Sequence, residues 1–189
     1  ESSAGDRVAE ESMDKVPAAV TEDGEAGVMH LAAQQGWTEA LNNLLCLGDE
    51  SVDVQTGAEE TPLHFASFSG HADCVRILLR NGADIEKACT RKGYTALCWA
   101  AAASQEAVVK VLLEEGADLH AKTNFGDTPL HWACRSVHGV EVAMVLLDKG
   151  ANVHVKDSDG WTPLHHACSM DLPEVILVLL EKGANVHVK

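Results

Sequence analysis

Thr61-Pro62-Leu63-His64-Phe65-Ala66 returns as Thr128-Pro129-Leu130-His131-Trp132-Ala133 and again as Thr162-Pro163-Leu164-His165-His166-Ala167. A looser copy, Thr95-Ala96-Leu97-Cys98-Trp99-Ala100, falls between the first two, so the starts lie 34, 33 and 34 residues apart. A period of this length marks a stacked-repeat solenoid, because one such unit cannot bury its apolar face alone and must cover it on its neighbours. The 189 residues therefore read as one elongated array rather than one or two globular domains. An array offers a long exposed face, which turns the functional question from a catalytic pocket toward binding.

Within each unit the same signals recur in phase. Threonine before Pro-Leu suits a helix N-cap, its hydroxyl accepting from an early amide, and proline at the first helical position has no N–H to leave unpaired. A first helix of about eight residues follows, then a small-residue break. The second helix clusters Leu and Val, as in Cys74-Val75-Arg76-Ile77-Leu78-Leu79. Gly82, Gly116, Gly150 and Gly183 follow the double leucines and read as left-handed C-caps. The stretch from Asn152 through Gly160 reads as an extended arm with a tight turn.

On the hexapeptide, the glycines and the leucine pairs, the chain resembles the ankyrin-repeat family over roughly residues 27 to 189. The resemblance implies an all-α repeat solenoid of antiparallel helix pairs joined by projecting β-hairpin loops. It divides the array into about five repeats, 27–60, 61–94, 95–127, 128–161 and 162–189. In the first, Gly27-Val28-Met29-His30-Leu31-Ala32 lies 34 residues before the hexapeptide at Thr61. There Asn43 stands where later repeats have Ile77, Val111, Val145 and Val178, which suits a capping repeat with one solvated side. At the other end Val175 to Leu180 is wholly apolar, and Gly183 to Lys189 copies Gly150 to Lys156. From this we expect a natural protein that continues past residue 189. Counting from hexapeptide to glycine to hexapeptide places one extra residue near Ser136 to Gly139, and one each in the hairpins around 56–60 and 89–94. Residues 1 to 26 carry eight acids and two bases, and read as disordered or, with Ala9, Met13 and Val16 at i, i+4 and i+7, as a short capping helix.

The formal net charge of −15 disfavours nucleic acid, whose phosphates would be repelled, and favours a partner with a basic segment. Six cysteines show no paired spacing and read as small reduced core residues of an intracellular, cytoplasmic or nuclear, protein. No apolar run approaches the ~20 residues of a membrane span, so no membrane partner is expected.

No catalytic, cofactor or metal site is legible. His64, His131 and His165 belong to the hexapeptide, where the resemblance implies that the imidazole ties loop to helix. His120, His154 and His187 recur once per repeat, a ladder rather than the convergent set that zinc needs. Cys98 replaces a hexapeptide histidine without a base or orienting carboxylate beside it. The expected function is a non-catalytic protein-interaction module. The alternative is a regulatory or substrate-recruiting arm of a larger enzyme.

The resemblance also implies where a protein or peptide partner would touch: the hairpin tips and the inner face of each first helix. Carried onto this chain, the tips are Arg91, Lys92 and Tyr94; Asn124, Phe125 and Asp127; and Ser158, Asp159 and Trp161. The inner-helix positions include Phe68, Arg135 and Met170. Tyr94, Phe125, Trp161, Phe68 and Met170 are large groups expected to face a groove, where they would make good anchors. Trp99 and Trp132 read as helix-packing residues. Met144 and Leu177 align with Arg76 and Lys110, and read as an apolar patch on the outer helices. The array is expected to be monomeric, with weak self-association through its apolar C-terminal end.

Overall fold

A computed structural model describes residues 27–48, 50–89 and 92–186. The acidic segment 1–26, Arg91 and His187 lie outside the described residues. Ten helices run in pairs: α1 (Val28–Gln35) and α2 (Thr38–Leu47), α3 (Pro62–Ser69) and α4 (Ala72–Arg80), α5 (Ala96–Ala102) and α6 (Glu106–Glu114), α7 (Pro129–Ala133) and α8 (Val140–Asp148), and α9 (Pro163–Ser169) and α10 (Pro173–Glu181) among the described residues. First helices pack on first helices and second on second, giving two parallel rows and an all-α solenoid.

The sequence explains each helix start. Thr61, Thr128 and Thr162 hold extended backbone before Pro62, Pro129 and Pro163. The third helical residue is histidine, and its Nδ1 accepts the threonine N–H at 3.1, 3.0 and 3.1 Å. The expected threonine cap is thus a reciprocal box, with imidazole in the place usually taken by glutamate. The four glycines after the double leucines have φ of 88 to 97°, as C-caps of the left-handed kind require.

Packing follows the period. Leu63, Leu97 and Leu130 are buried along the first-helix row, and Leu78, Leu112, Leu146 and Leu179 along the second. Each contributes about 2 kcal/mol by leaving water. Asn43 is exposed at a position where Val111 is buried, so the first repeat does have a solvated side. At the far end, Cys168 is exposed whereas its equivalents Ser67, Ala101 and Cys134 are all buried by a following repeat. Leu180 is likewise 37% exposed against 9% for Leu147. Cys46 and Cys168 therefore depart from the expectation that every cysteine is a core residue.

One further expectation is corrected, and it concerns the lengths of the hairpin loops. The hairpin arms carry no extended ladder among the described residues: one isolated bridge joins Cys89 and Tyr94, and each other loop closes by one backbone N–H···O bond, Thr56 to Glu60, Thr123 to Asp127 and Asp157 to Trp161, at 2.9 to 3.0 Å, with a return bond to the side chain of the first residue. The 89–94 loop is one residue longer than 123–127, as counted. The 56–60 loop is not, so the extra residue of the first hairpin falls before Thr56. No helix among the described residues is long and apolar enough to cross a membrane.

Candidate protein-interaction surface

Repeats are stitched to one another along the loops. Asn124 N–H donates to the Lys92 carbonyl and Ser158 N–H to the Phe125 carbonyl, each at 2.9 Å. The close stacking needs Gly126, since a Cβ there would come within 2.9 Å of the Ser158 nitrogen. Hexapeptide histidines reach the next loop as well: the Nε2 of His30, His64 and His131 lies 3.2, 3.0 and 3.2 Å from the carbonyls of Glu60, Tyr94 and Trp161. Cys98 cannot make the equivalent link, and instead accepts weakly from the Thr95 hydroxyl at 3.6 Å.

Of the expected anchors, Phe68 and Trp161 are half-buried with their rings fixed by aromatic neighbours. Phe68 meets Trp99 edge-on at 5.5 Å, and Trp161 lies 5.1 Å from the ring of His166. Phe125 is half-buried, Asn124, Ser158 and Asp159 are exposed, and Met170 is 38% exposed. Lys92 is half-buried, its Nζ 6.0 Å from the Tyr94 ring centre. Two expectations fail. Tyr94 is only 4% exposed, because its ring turns inward to meet Trp132 edge-on at 5.1 Å. Asp127 is 2% exposed, drawn in by Arg135. Neither presents its side chain to a groove.

Arg135, one residue past the C-cap of α7, organises a buried polar network that repeat phase alone does not reveal. Its guanidinium carbon lies 4.5 Å from the centre of the Trp132 ring, a cation–π stack. Nη2 pairs with Asp127 Oδ1 at 3.3 Å, and Nε donates to His166 Nδ1 at 3.1 Å. The imidazole proton is then on Nε2, which donates to Asp157 Oδ2 at 2.8 Å. Burial, and next the Arg135 charge, push the His166 pKa down to about 4. Burial works against ionisation of Asp157, but hydrogen bonds from His166 and the Trp161 amide outweigh it and hold that carboxyl below its usual value. A signal for this network stands in the sequence: His166 occupies the position of Phe65, Trp99 and Trp132.

His131, Asp157 and His166 bring possible ligand atoms within 4.8 Å of one another. This convergence corrects the expectation that repeat spacing keeps such groups apart. Their chemistry does not suit a cation, however. His131 Nδ1 accepts from the Thr128 amide at 3.0 Å, so its proton is on Nε2, facing the Trp161 carbonyl. His166 Nδ1 is committed to a guanidinium, so neither imidazole offers a spare lone pair. The buried thiols are equally unsuited to attack. Burial pushes Cys98 up to about 11 and Cys134 higher still, which keeps both protonated, the opposite of what a nucleophile needs.

A family model described as ankyrin repeats (3 copies) matches residues 29–123 and again 115–189. Comparison with curated proteins gives no match. The family match spans most of the sequence, and the chain belongs to the ankyrin-repeat family. Ankyrin repeats are protein–protein interaction modules, typically without catalytic activity of their own.

Proposed function

We propose that this array is a non-catalytic module that binds a partner protein or peptide across the hairpin tips and the first-helix row. The observation that carries this reading is the pair of half-exposed rings, Phe68 and Trp161, each held in one orientation by a buried aromatic partner. An anchor already fixed loses little freedom on binding, which is what separates energetic centres of an interface from their surroundings. Phe125, Met170 and the stacked guanidinium of Arg135 extend the surface, with Lys92, Asn124, Ser158 and Asp159 as its polar rim. Between Phe68 and Arg135 the floor is small, Ala102 and Ala103, and both are partly open to solvent.

The net charge of −15 favours a partner that carries a basic segment, since such a field speeds encounter with cations. The monomeric state and the cytoplasmic setting belong to the same reading. Affinity capture with the native chain as bait, set against a Phe68→Ala/Phe125→Ala bait of equal thermal stability, tests it. A protein retained by the first and lost from the second supports the reading, and identical retention by both contradicts it.

A further inference from the structure

The second helices α4, α6, α8 and α10 align residue for residue, and their fifth positions hold Arg76, Lys110, Met144 and Leu177. In the earlier two repeats this position supplies a cation to nearby acids. Arg76 lies 3.4 Å from Glu114 and 3.9 Å from Glu115 of the following repeat, and Lys110 lies 2.6 Å from Glu106. In the later two repeats the cation is gone but the acids persist. Glu141 and Asp148 flank Met144 by one helical turn, Glu174 and Glu181 flank Leu177 in the same way, and all four are exposed. Asp148 pairs with Lys182 at 2.6 Å. Among the described residues no cation pairs with Glu141, Glu174 or Glu181. The side chains they surround are open to water, Met144 at 44% and Leu177 at 60%, with Leu180 one turn further on.

We propose that the outer face of α8 and α10 is a second docking surface, and that its occupant is a cationic amphipathic helix of a partner protein. Its apolar side chains cover Met144 and Leu177. Its lysines or arginines reach Glu141, Glu174 and Glu181, supplying from outside the charge that Arg76 and Lys110 supply from within. The geometry sets the spacing of the anchors. Adjacent packed helices lie about 8–10 Å apart, and a helix crossing both advances about 1.5 Å per residue. Apolar residues seven apart, two turns along one face of the incoming helix and about 10 Å from each other, therefore meet Met144 and Leu177 together. The acidic rim also argues against a lipid surface, because anionic headgroups would be repelled. This surface is separate from the first-helix row and does not depend on what binds there.

The test uses an 18-residue helical peptide of leucine and lysine, with leucines on one face, and a scrambled peptide of the same composition. Calorimetry gives the affinity of each for the chain, and hydrogen exchange locates the contact. Protection is expected within 140–148 and 173–181, with at least tenfold weaker binding by the scrambled peptide. Met144→Lys/Leu177→Lys, which restores the pattern of the earlier repeats, is expected to weaken binding at least tenfold without lowering the melting temperature. Glu141→Gln/Glu174→Gln, which keeps the apolar pair, is expected to weaken it and to flatten its salt dependence. Phe68→Ala is expected to leave it unchanged. Absence of binding, protection elsewhere, or equal affinity for native chain and lysine variant overturns the proposal. Protection along the first-helix row overturns it while leaving the reading of that row intact.

Discussion

Arg135 donates its Nε hydrogen to Nδ1 of His166 across 3.1 Å, so a permanently charged side chain of one repeat is held by a neutral imidazole of the next. The same guanidinium neutralises Asp127, whose side chain is 3% exposed. Removing one member of such a set leaves the others buried without their counterpart, whereas removing both charges together costs far less. Arg135→Met is therefore expected to destabilise the array by about 3 kcal/mol. Arg135→Met/Asp127→Asn is expected to recover much of that loss. Urea unfolding of the native chain and both variants measures it. A single variant as stable as the native chain shows that the network is dispensable.

His30 exposes the opposite situation. It stands where His64, His131 and His165 stand, but Gly27 replaces the threonine, and its buried Nδ1 has no partner among the described residues. Gly27 already has the extended backbone of the other caps, φ −67° and ψ 169°, and a Cβ there would come no closer than 3.7 Å to His30. Gly27→Thr is expected to complete the missing box and stabilise the array by roughly a few tenths of a kcal/mol, because glycine is itself a tolerated cap. The readout is the urea midpoint. A neutral or negative effect shows that the first repeat gains nothing from this cap.

Burial pushes His64, His131 and His166 down to about 4, so each is neutral in the folded chain. Unfolding frees them to bind protons near their ordinary value, about 6.5. The unfolded chain then holds more protons between pH 6.5 and 4, and stability falls as pH falls through that window. The slope is up to about 1.4 kcal/mol per pH unit for each histidine. Urea unfolding at pH 7.5, 6 and 5 is expected to show little change above 6.5 and a steepening loss below it. Constant stability down to pH 5 contradicts the assignment of neutral, buried imidazoles.

The array, its helix pairs and its glycine caps were legible because each rests on spacing, and spacing is a property of the sequence. Tyr94 shows where spacing fails. Its number along the loop marks a tip, but one χ rotation turns the ring onto Trp132, and burying an aromatic outweighs leaving it in water. Asp127 fails for a different reason: its partner Arg135 is eight residues away, just past the end of the next helix, a contact that no single repeat encodes. His166 was detectable as a polar residue at an aromatic position. Its role needed the fold, because its partners Arg135 and Asp157 lie 31 and 9 residues away along the chain.

Repeat five lacks a covering neighbour in the described structure: Cys168 lies open where its equivalents are buried, and Leu180 is exposed where Leu147 is buried. A face so exposed lowers the cost of local opening. Hydrogen exchange on the monomer is expected to find α9 and α10 less protected than α5 to α8. Equal protection across these helices, without self-association, shows that the terminal face is stabilised by something other than a following repeat.

The first-helix surface is tested most directly by calorimetry on a captured partner, with a thermal melt of every variant. Phe68→Ala/Phe125→Ala is expected to weaken binding at least tenfold at an unchanged melting temperature, since truncating a true anchor costs about 2 kcal/mol or more. Asn124→Ala and Ser158→Ala, at the polar rim, are expected to cost well under about 1 kcal/mol. If the ring variant binds as tightly as the native chain while Met144→Lys does not, the partner sits on the outer helices and the first-helix row is not its binding surface.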